Sequence, residues 1–340
     1  MSEVLTFDLP PCSSGFMVTV RGQDSRYYTL AELGPEHGIS LVPKSWLAIS
    51  GSPMRCQALC VNRIVAQSGV ASFLFPNTPL VTVKPGRHRL RLYAFERGAG
   101  LGSSVPVASQ LQVHVDFMGV QAGLKTALQL PVNVCLTGAG GIDAKVAVKH
   151  ERLQKALSVV QSVFKEAGIK LEPIRYRDVA GSSLTTVHGI DGKDSAWSQL
   201  MRTGEDLPMG LNLFVVDKIV IGKALAPDGE SLLGLSGGVP GAPLEVGCDR
   251  CGVVFALETN STGPDLLGGI MAHEIGHYLG LFHPMEPTTN ADVSVKDNLP
   301  DTADDDPDNL MHWAVGEKSR ELTAQQIAVL RSSPWLSVSP

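Results

Sequence analysis

Residues 273–283 read His-Glu-Ile-Gly-His-Tyr-Leu-Gly-Leu-Phe-His, and this run restricts the local backbone more than any other stretch of the chain. His273 and His277 stand at i and i+4, which puts both imidazoles on one face of a helix, aimed at one point. Glu274 lies one residue on, about 100° around that helix, so its carboxylate reaches the neighbourhood of the point without competing for it. His283 cannot share the same straight face. The helix must therefore end and the chain must turn, and Gly280 permits the left-handed backbone conformation that such a turn needs. Upstream, Thr262-Gly263 forms a cap region, Pro264 suits the first helical position, and Asp265 favours the positive end of the helix dipole. The pattern predicts a helix from there to Leu279, with Gly268 and Gly269 as its only weak points.

Three neutral imidazoles are a donor set for zinc, and three protein ligands leave a fourth position open, as in a catalytic ion. Zinc so held lowers the pKa of a bound water to roughly 7. Glu274 is placed to accept that water's proton as general base during attack on a carbonyl, and to pass it to the leaving amine. From this composition HExxH alone arises in about one random chain in a hundred, and the full HExxHxxGxxH in about 3 in 100,000, so the longer motif carries the reading. The expected activity is zinc-dependent endopeptidase hydrolysis of protein or peptide amide bonds. The alternatives are a zinc hydrolase of a non-peptide amide, and an adhesin or glycan-binding protein with a vestigial metal domain.

Around this motif the chain falls into two grammars. Residues 1–120 read as an all-β, sandwich-like unit of short apolar runs between turn signals: 16–20, 45–49, 71–75, 80–83, 88–95 and 110–115. The 88–95 run alternates, with Leu90, Leu92 and Ala94 on one face and Arg89 and Arg91 on the other, solvated face. From about 125 to 335 strands alternate with helix, the grammar of a separate α/β unit. Strands are predicted at 128–136, 169–174, 211–216 and 252–257. Asp143 is a helix cap, and Leu153, Leu157, Val160 and Phe164 form one apolar stripe of a helix running to Ala167. The glycine-rich run at 138–141 lacks the phosphate-loop patterns and reads as a loop.

The net charge of -6 and the lack of any Lys/Arg run give no sign of a nucleic-acid partner, and no apolar stretch reaches the length of a transmembrane helix. Cysteines stand at 12, 56, 60, 135, 248 and 251, an even number that is compatible with disulfides and leaves their pairing open. Cys248 and Cys251 read as a small loop-pinning disulfide or as free thiols. Together with the absence of a visible signal segment, the cysteines suggest a secreted, periplasmic or cell-surface protein whose leader is missing from this chain, with the cytoplasm as the alternative.

With these residues in view, the stretch 125–335 resembles the metzincin zinc peptidases, and within them the pappalysin-like family. The similarity is carried by 211–217, the loop with 235–241, 252–257, 271–283, 299–302 and 309–311. It implies an α+β fold with a twisted mixed sheet, an active-site helix and a methionine-containing turn, in which Met311 forms an apolar floor below the zinc. It implies that Gly252, Val253, Val254 and Phe255 belong to an edge strand to which a peptide substrate adds by main-chain hydrogen bonds. Related enzymes often carry a tyrosine two residues after the turn methionine. Here Trp313 stands there, whose indole donates but neither accepts nor ionises. His312 is a weak substitute, and Tyr278 is expected to be packed. The loop with Asp292, Asp297, Asp301, Asp304, Asp305, Asp306 and Asp308 offers hard oxygen ligands for calcium, with Asp297 and Asp301 as first choices. Some metzincins are silenced by a cysteine of a pro-segment. Cys12 is the candidate for that, against a disulfide role, which leaves residues 1–120 as pro-segment, binding domain or support.

Overall fold

The computed structural model describes residues 1–42, 60–97, 104–119, 127–179, 184–189, 194–220, 231–243, 248–257, 262–286 and 295–338. The front of the chain builds two antiparallel sheets. One has the order β1 (Leu5–Leu9), β6 (Gly86–Arg97), β3 (Tyr27–Pro35), β4 (Gln67–Ser68), with β7 (Ser104–Pro106) paired to β6. The other has the order β5 (Val70–Phe75), β2 (Ser13–Arg21), β8 (Gln112–Gly119). Leu90, Leu92 and Ala94 of β6 share one apolar core with Phe16 and Val18 of β2 and with Phe73 and Phe75 of β5. The alternation in β6 thus has the physical cause read from it: one face is buried between sheets. The other face is less solvated than expected, since Arg89 and Arg91 pair with the buried Glu32 of β3 at 3.1 and 3.5 Å. The run 80–83 is loop, with Leu80 61% exposed, which corrects the predicted strand there. The run 45–49 lies outside the described residues.

The second half is built on a five-stranded mixed sheet in the order β12 (Ile174–Asp178), β10 (Val132–Leu136), β14 (Leu211–Val216), β18 (Val253–Ala256), β17 (Gly234–Ser236). The first four are parallel and β17 is antiparallel to β18. Every residue of β10, β14 and β18 is buried, as in largely apolar strands covered on both faces, and the two polar ones, Asn133 and Asn212, bond each other at 2.9 Å. The smaller sheets β11 (Ile169–Lys170), β9 (Leu128–Gln129), β19 (Ser337–Val338) and β13 (Thr186–His188), β15 (Lys218–Val220), β16 (Ser231–Leu232) complete the strand set. The predicted strand at 128–136 is therefore split at Pro131, which has no N–H to give a ladder. The one at 169–174 is likewise interrupted, before Ile174.

Asp143 does cap a helix, accepting from the Val146 N–H, but this is the four-residue α1 (Ala144–Ala147). The long helix α2 (Glu151–Glu166) starts separately at His150. Its stripe of Leu153, Leu157, Val160 and Phe164 packs with Leu267, Met271 and Ile275 of α4 (Pro264–Tyr278) in one core. A second cluster gathers Trp197, Leu200 and Met201 of α3 (Ala196–Arg202) with Phe214, Val216 and Val254 of the sheet. α5 (Ala324–Arg331) opens with a Thr323/Gln326 capping box, which the sequence reading did not single out. Met17, Leu74 and Met118 of the front sheets lie in the same core cluster as α4 and Met311, so the two halves share buried surface. No helix among the described residues is long and apolar enough to cross a membrane.

The sheet order corrects one expectation. β18 is hydrogen-bonded on both sides, so Gly252, Val253, Val254 and Phe255 do not form a free edge. The edge on that side of the sheet is β17, as β12 is on the other, and the outer backbone groups of β17 face away from β18.

Candidate metal centre and active-site cleft

α4 carries His273 and His277 as predicted, with Pro264 in its first turn. The helix ends in a Schellman arrangement: Gly280 N–H bonds the His277 carbonyl and Leu281 N–H the Gly276 carbonyl, each at 2.9 Å. Gly280 has φ +113°, where L side chains rarely go. A Cβ there would also stand 2.7 Å from Leu74 Cδ2. The reversal returns His283 to the helix. Its Nε2 lies 3.2 Å from His273 Nε2 and 3.0 Å from His277 Nε2.

All three rings have the other nitrogen engaged. His273 Nδ1 bonds the Leu310 carbonyl at 2.8 Å, His277 Nδ1 the Leu281 carbonyl at 2.7 Å, and His283 Nδ1 the Glu286 carboxylate at 2.7 Å. An acceptor at each Nδ1 places the proton there and leaves the Nε2 lone pairs facing one another. Burial lowers the pKa of His273 to about 3 and that of His277 well below its usual value, so both rings are neutral. Three converging lone pairs repel unless a cation lies among them. Nitrogen ligands at about 2.0–2.1 Å from a tetrahedral ion stand about 3.3 Å apart, close to the separations seen. The donor set therefore fits a metal ion, and it is the only such His/Cys/Asp/Glu group among the described residues.

The Leu310 carbonyl that orients His273 is itself held. Asn309 and Gln326 exchange two side-chain hydrogen bonds of 3.0 Å, and Leu310 N–H bonds the Glu321 carbonyl at 2.7 Å. Met311 is fully buried beneath α4. Its Sδ is 2.7 Å from where a Cβ on Gly276 would lie, so the glycine makes room for the thioether. Gly276 and Gln326 were missed in the sequence. A Gly inside a helical motif and a capping-box Gln were the available signals.

The histidines and Glu274 line a cleft of about 550 Å³ together with Gly234, Leu235 and Ser236 of β17, Val65 of the front half, and Trp313 and Val315. Burial pushes the Glu274 carboxyl up to about 8, opposed by a hydrogen bond from the Ser236 backbone. Gly234 has no side chain to obstruct it: a Cβ there would stand 2.7 Å from Glu274 Cγ. Trp313 is half-exposed at the cleft. Tyr278 is packed away from it, its hydroxyl donating to the Ala242 carbonyl at 2.6 Å. His312 bonds Asp305 and the Ala314 carbonyl and does not line the cleft.

Among the described residues, the acidic loop gathers no group of three acidic side chains in the way that the histidines are gathered. Asp297 accepts from Leu299 N–H at 3.0 Å and from the Thr302 hydroxyl at 2.9 and 3.0 Å. Asp301 accepts from the Thr323 hydroxyl and Gln325 N–H, both at 2.9 Å, at the start of α5. These carboxylates brace local turns, and Asp292 lies outside the described residues. Cys12 is a free, exposed thiol, which removes the disulfide role weighed for it, and it does not line the cleft. Cys248 and Cys251 form a disulfide.

No family model matches this chain, and no curated protein matches it. Among solved structures it is similar to metalloproteinase-II from Bacteroides fragilis, at 12% identity over 62% of this chain and 54% of that one, with a TM-score of 0.36. A second similarity is to an active-site mutant of a family two carbohydrate esterase from Clostridium thermocellum, at 11% identity over 63% of this chain and 57% of that one, with a TM-score of 0.12. The chain thus spans about half the length of each of these structures. Scores this low describe loose likeness of shape, and the site's chemistry is read from its own residues.

Proposed function

We propose that the chain is a zinc-dependent endopeptidase of the metzincin kind, pappalysin-like in its motif residues, that cleaves protein or peptide amide bonds. The carrying observation is the convergence of His273, His277 and His283 Nε2 atoms beside Glu274 under the sheet edge β17. The three nitrogens are a zinc donor set, and zinc when bound supplies Lewis-acid polarisation of a carbonyl and acidifies water to a pKa of roughly 7.

The protein's own groups do the rest. Apart from the Ser236 N–H that Glu274 engages, the outer backbone groups of β17 are offered to an extended peptide, which joins as a further strand and lies across the histidines. Glu274 faces the same cleft, one residue from a ligand, and takes and returns a proton as general base and acid. The Ser236 N–H holds that carboxylate in place. Met311, two residues before Trp313, is the floor of a methionine turn. Residues 125–335 form the peptidase unit, and the Cys248–Cys251 disulfide supports a location outside the reducing cytoplasm.

The test is a peptide-library digest read by mass spectrometry, run beside Glu274→Ala with zinc content measured for both. Cleavage by the wild type, about one zinc per chain in each protein, and loss of at least 10²-fold in the variant are expected. Undiminished cleavage by Glu274→Ala refutes the assignment. Hydrolysis confined to non-peptide amides points to the other zinc hydrolase reading.

A further inference from the structure

The third histidine is tied to the front sheets through a buried charge. His283 Nδ1 bonds Glu286 Oε2 at 2.7 Å, and Glu286 Oε1 accepts from Arg63 Nη2 at 2.6 Å. Arg63 comes from the connection between β3 and β4, and its side chain is fully buried. Its Nη1 donates to the Lys296 carbonyl at 3.2 Å. Its guanidinium lies 4.1 Å from the centroid of the Phe282 ring, next to the ligand in sequence. The backbone around Arg63 is fixed as well. Asn77 Nδ2 donates to the Arg63 carbonyl at 2.6 Å, and Asn62 bonds both Asn77 N–H and the Leu74 carbonyl at 3.0 Å. Asn298, further along the chain, is stitched to the same region: it donates to the Cys60 and Val61 carbonyls, and the Thr78 hydroxyl donates to the Asn298 carbonyl.

A carboxylate on the second nitrogen of a ligating histidine fixes its tautomer and ring orientation and raises its basicity. Glu286 is only three residues beyond His283 and outside α4, so the helix cannot hold it. Each of its oxygens has one side-chain partner among the described residues, and the partner that is not the histidine is Arg63. A buried guanidinium needs that carboxylate in turn, because removing either leaves an uncompensated charge. The pair therefore has one stable geometry, and His283 inherits it.

We infer that Arg63 is a positioning residue of the metal centre, acting through Glu286 on His283, so that the front half of the chain takes part in holding the site. The inference rests on the zinc reading above and concerns this chain's own contribution to holding the ion.

The experiment measures zinc affinity of the full chain by competition with a chromophoric chelator, with circular dichroism and melting of the metal-free protein alongside. Arg63→Met should bind zinc about 10–100-fold more weakly, as losses of such outer partners typically do, and Arg63→Lys should recover part of the affinity. Glu286→Ala should weaken it by a similar factor, and the double variant no further than Glu286→Ala alone, because both act through one path. Thr78→Val cuts a tether between the same regions without touching the pair; it should lower the melting temperature and leave zinc affinity unchanged. Wild-type affinity in a folded Arg63→Met protein, or additive losses in the double variant, overturns the inference. Should Arg63→Met fail to fold, wild-type affinity in Glu286→Ala overturns it equally. A wild-type chain that binds no zinc refutes the peptidase reading instead.

Discussion

Gly268 and Gly269 are adjacent in α4, yet alanine should act on them with opposite sign. In a helix interior Gly→Ala gains about 1 kcal/mol from backbone entropy, the same at both positions. What differs is the space. A Cβ on Gly268 would stand 2.5 Å from Val159 Cβ and 2.7 Å from the Ala156 carbonyl oxygen, both on α2. Ordinary contact lies at about 3.5–4 Å, so the two helices must part by roughly 1 Å. The obstacle includes backbone, so no rotamer change relieves it, and the overpacking cost lies towards the upper end of about 1–3 kcal/mol. A Cβ on Gly269 meets nothing nearer than the Gly316 carbonyl at 3.7 Å. Gly268→Ala should therefore lose about 1–2 kcal/mol, and Gly269→Ala should gain about 0.5–1 kcal/mol. Urea unfolding of both variants and the wild type, without metal, reads the two midpoints on opposite sides of the wild type. Equal signs for the two would refute the claim that α2 and α4 pack through this glycine. Because α4 also carries His273 and His277, Gly268→Ala should weaken zinc binding and Gly269→Ala should not.

Further outcomes follow from the same geometry. Gly280→Ala puts a side chain at φ +113° and against Leu74, at a cost of about 2–4 kcal/mol, read by urea unfolding; a loss under 1 kcal/mol would show that the turn relaxes freely. Zinc should raise the melting temperature of the wild type, and ethylenediaminetetraacetate should reverse the rise; a scan indifferent to both would remove the metal from the native state. Burial pushes the Asp297 carboxyl from 3.8 up to about 6, so the folded chain holds that proton more tightly than the unfolded one. The associated stability, about 3 kcal/mol, is full below about pH 4 and lost as pH rises through 6. Asp297→Asn should flatten that part of the stability–pH curve, becoming more stable relative to wild type at pH 7.5 than at pH 4.5. Parallel curves for the two proteins would refute it.

The local part of this site was legible because its rules are local. Helical spacing joins His273 to His277, and the φ demanded after Leu279 singles out Gly280; both depend on a dozen consecutive residues. The all-apolar run 253–256 likewise announced a strand. Its place in the sheet did not follow, since a strand's neighbours come from distant segments and an all-buried strand is more at home inside a sheet than at its edge. Hence the edge passed to Gly234–Ser236, a short run with little strand signature. Only the folded chain sets the Leu310 carbonyl against His273, slides Met311 under Gly276, and brings Arg63 across 223 residues of sequence to Glu286. Donors for a metal can be counted along a chain; their orientation depends on partners that packing alone delivers.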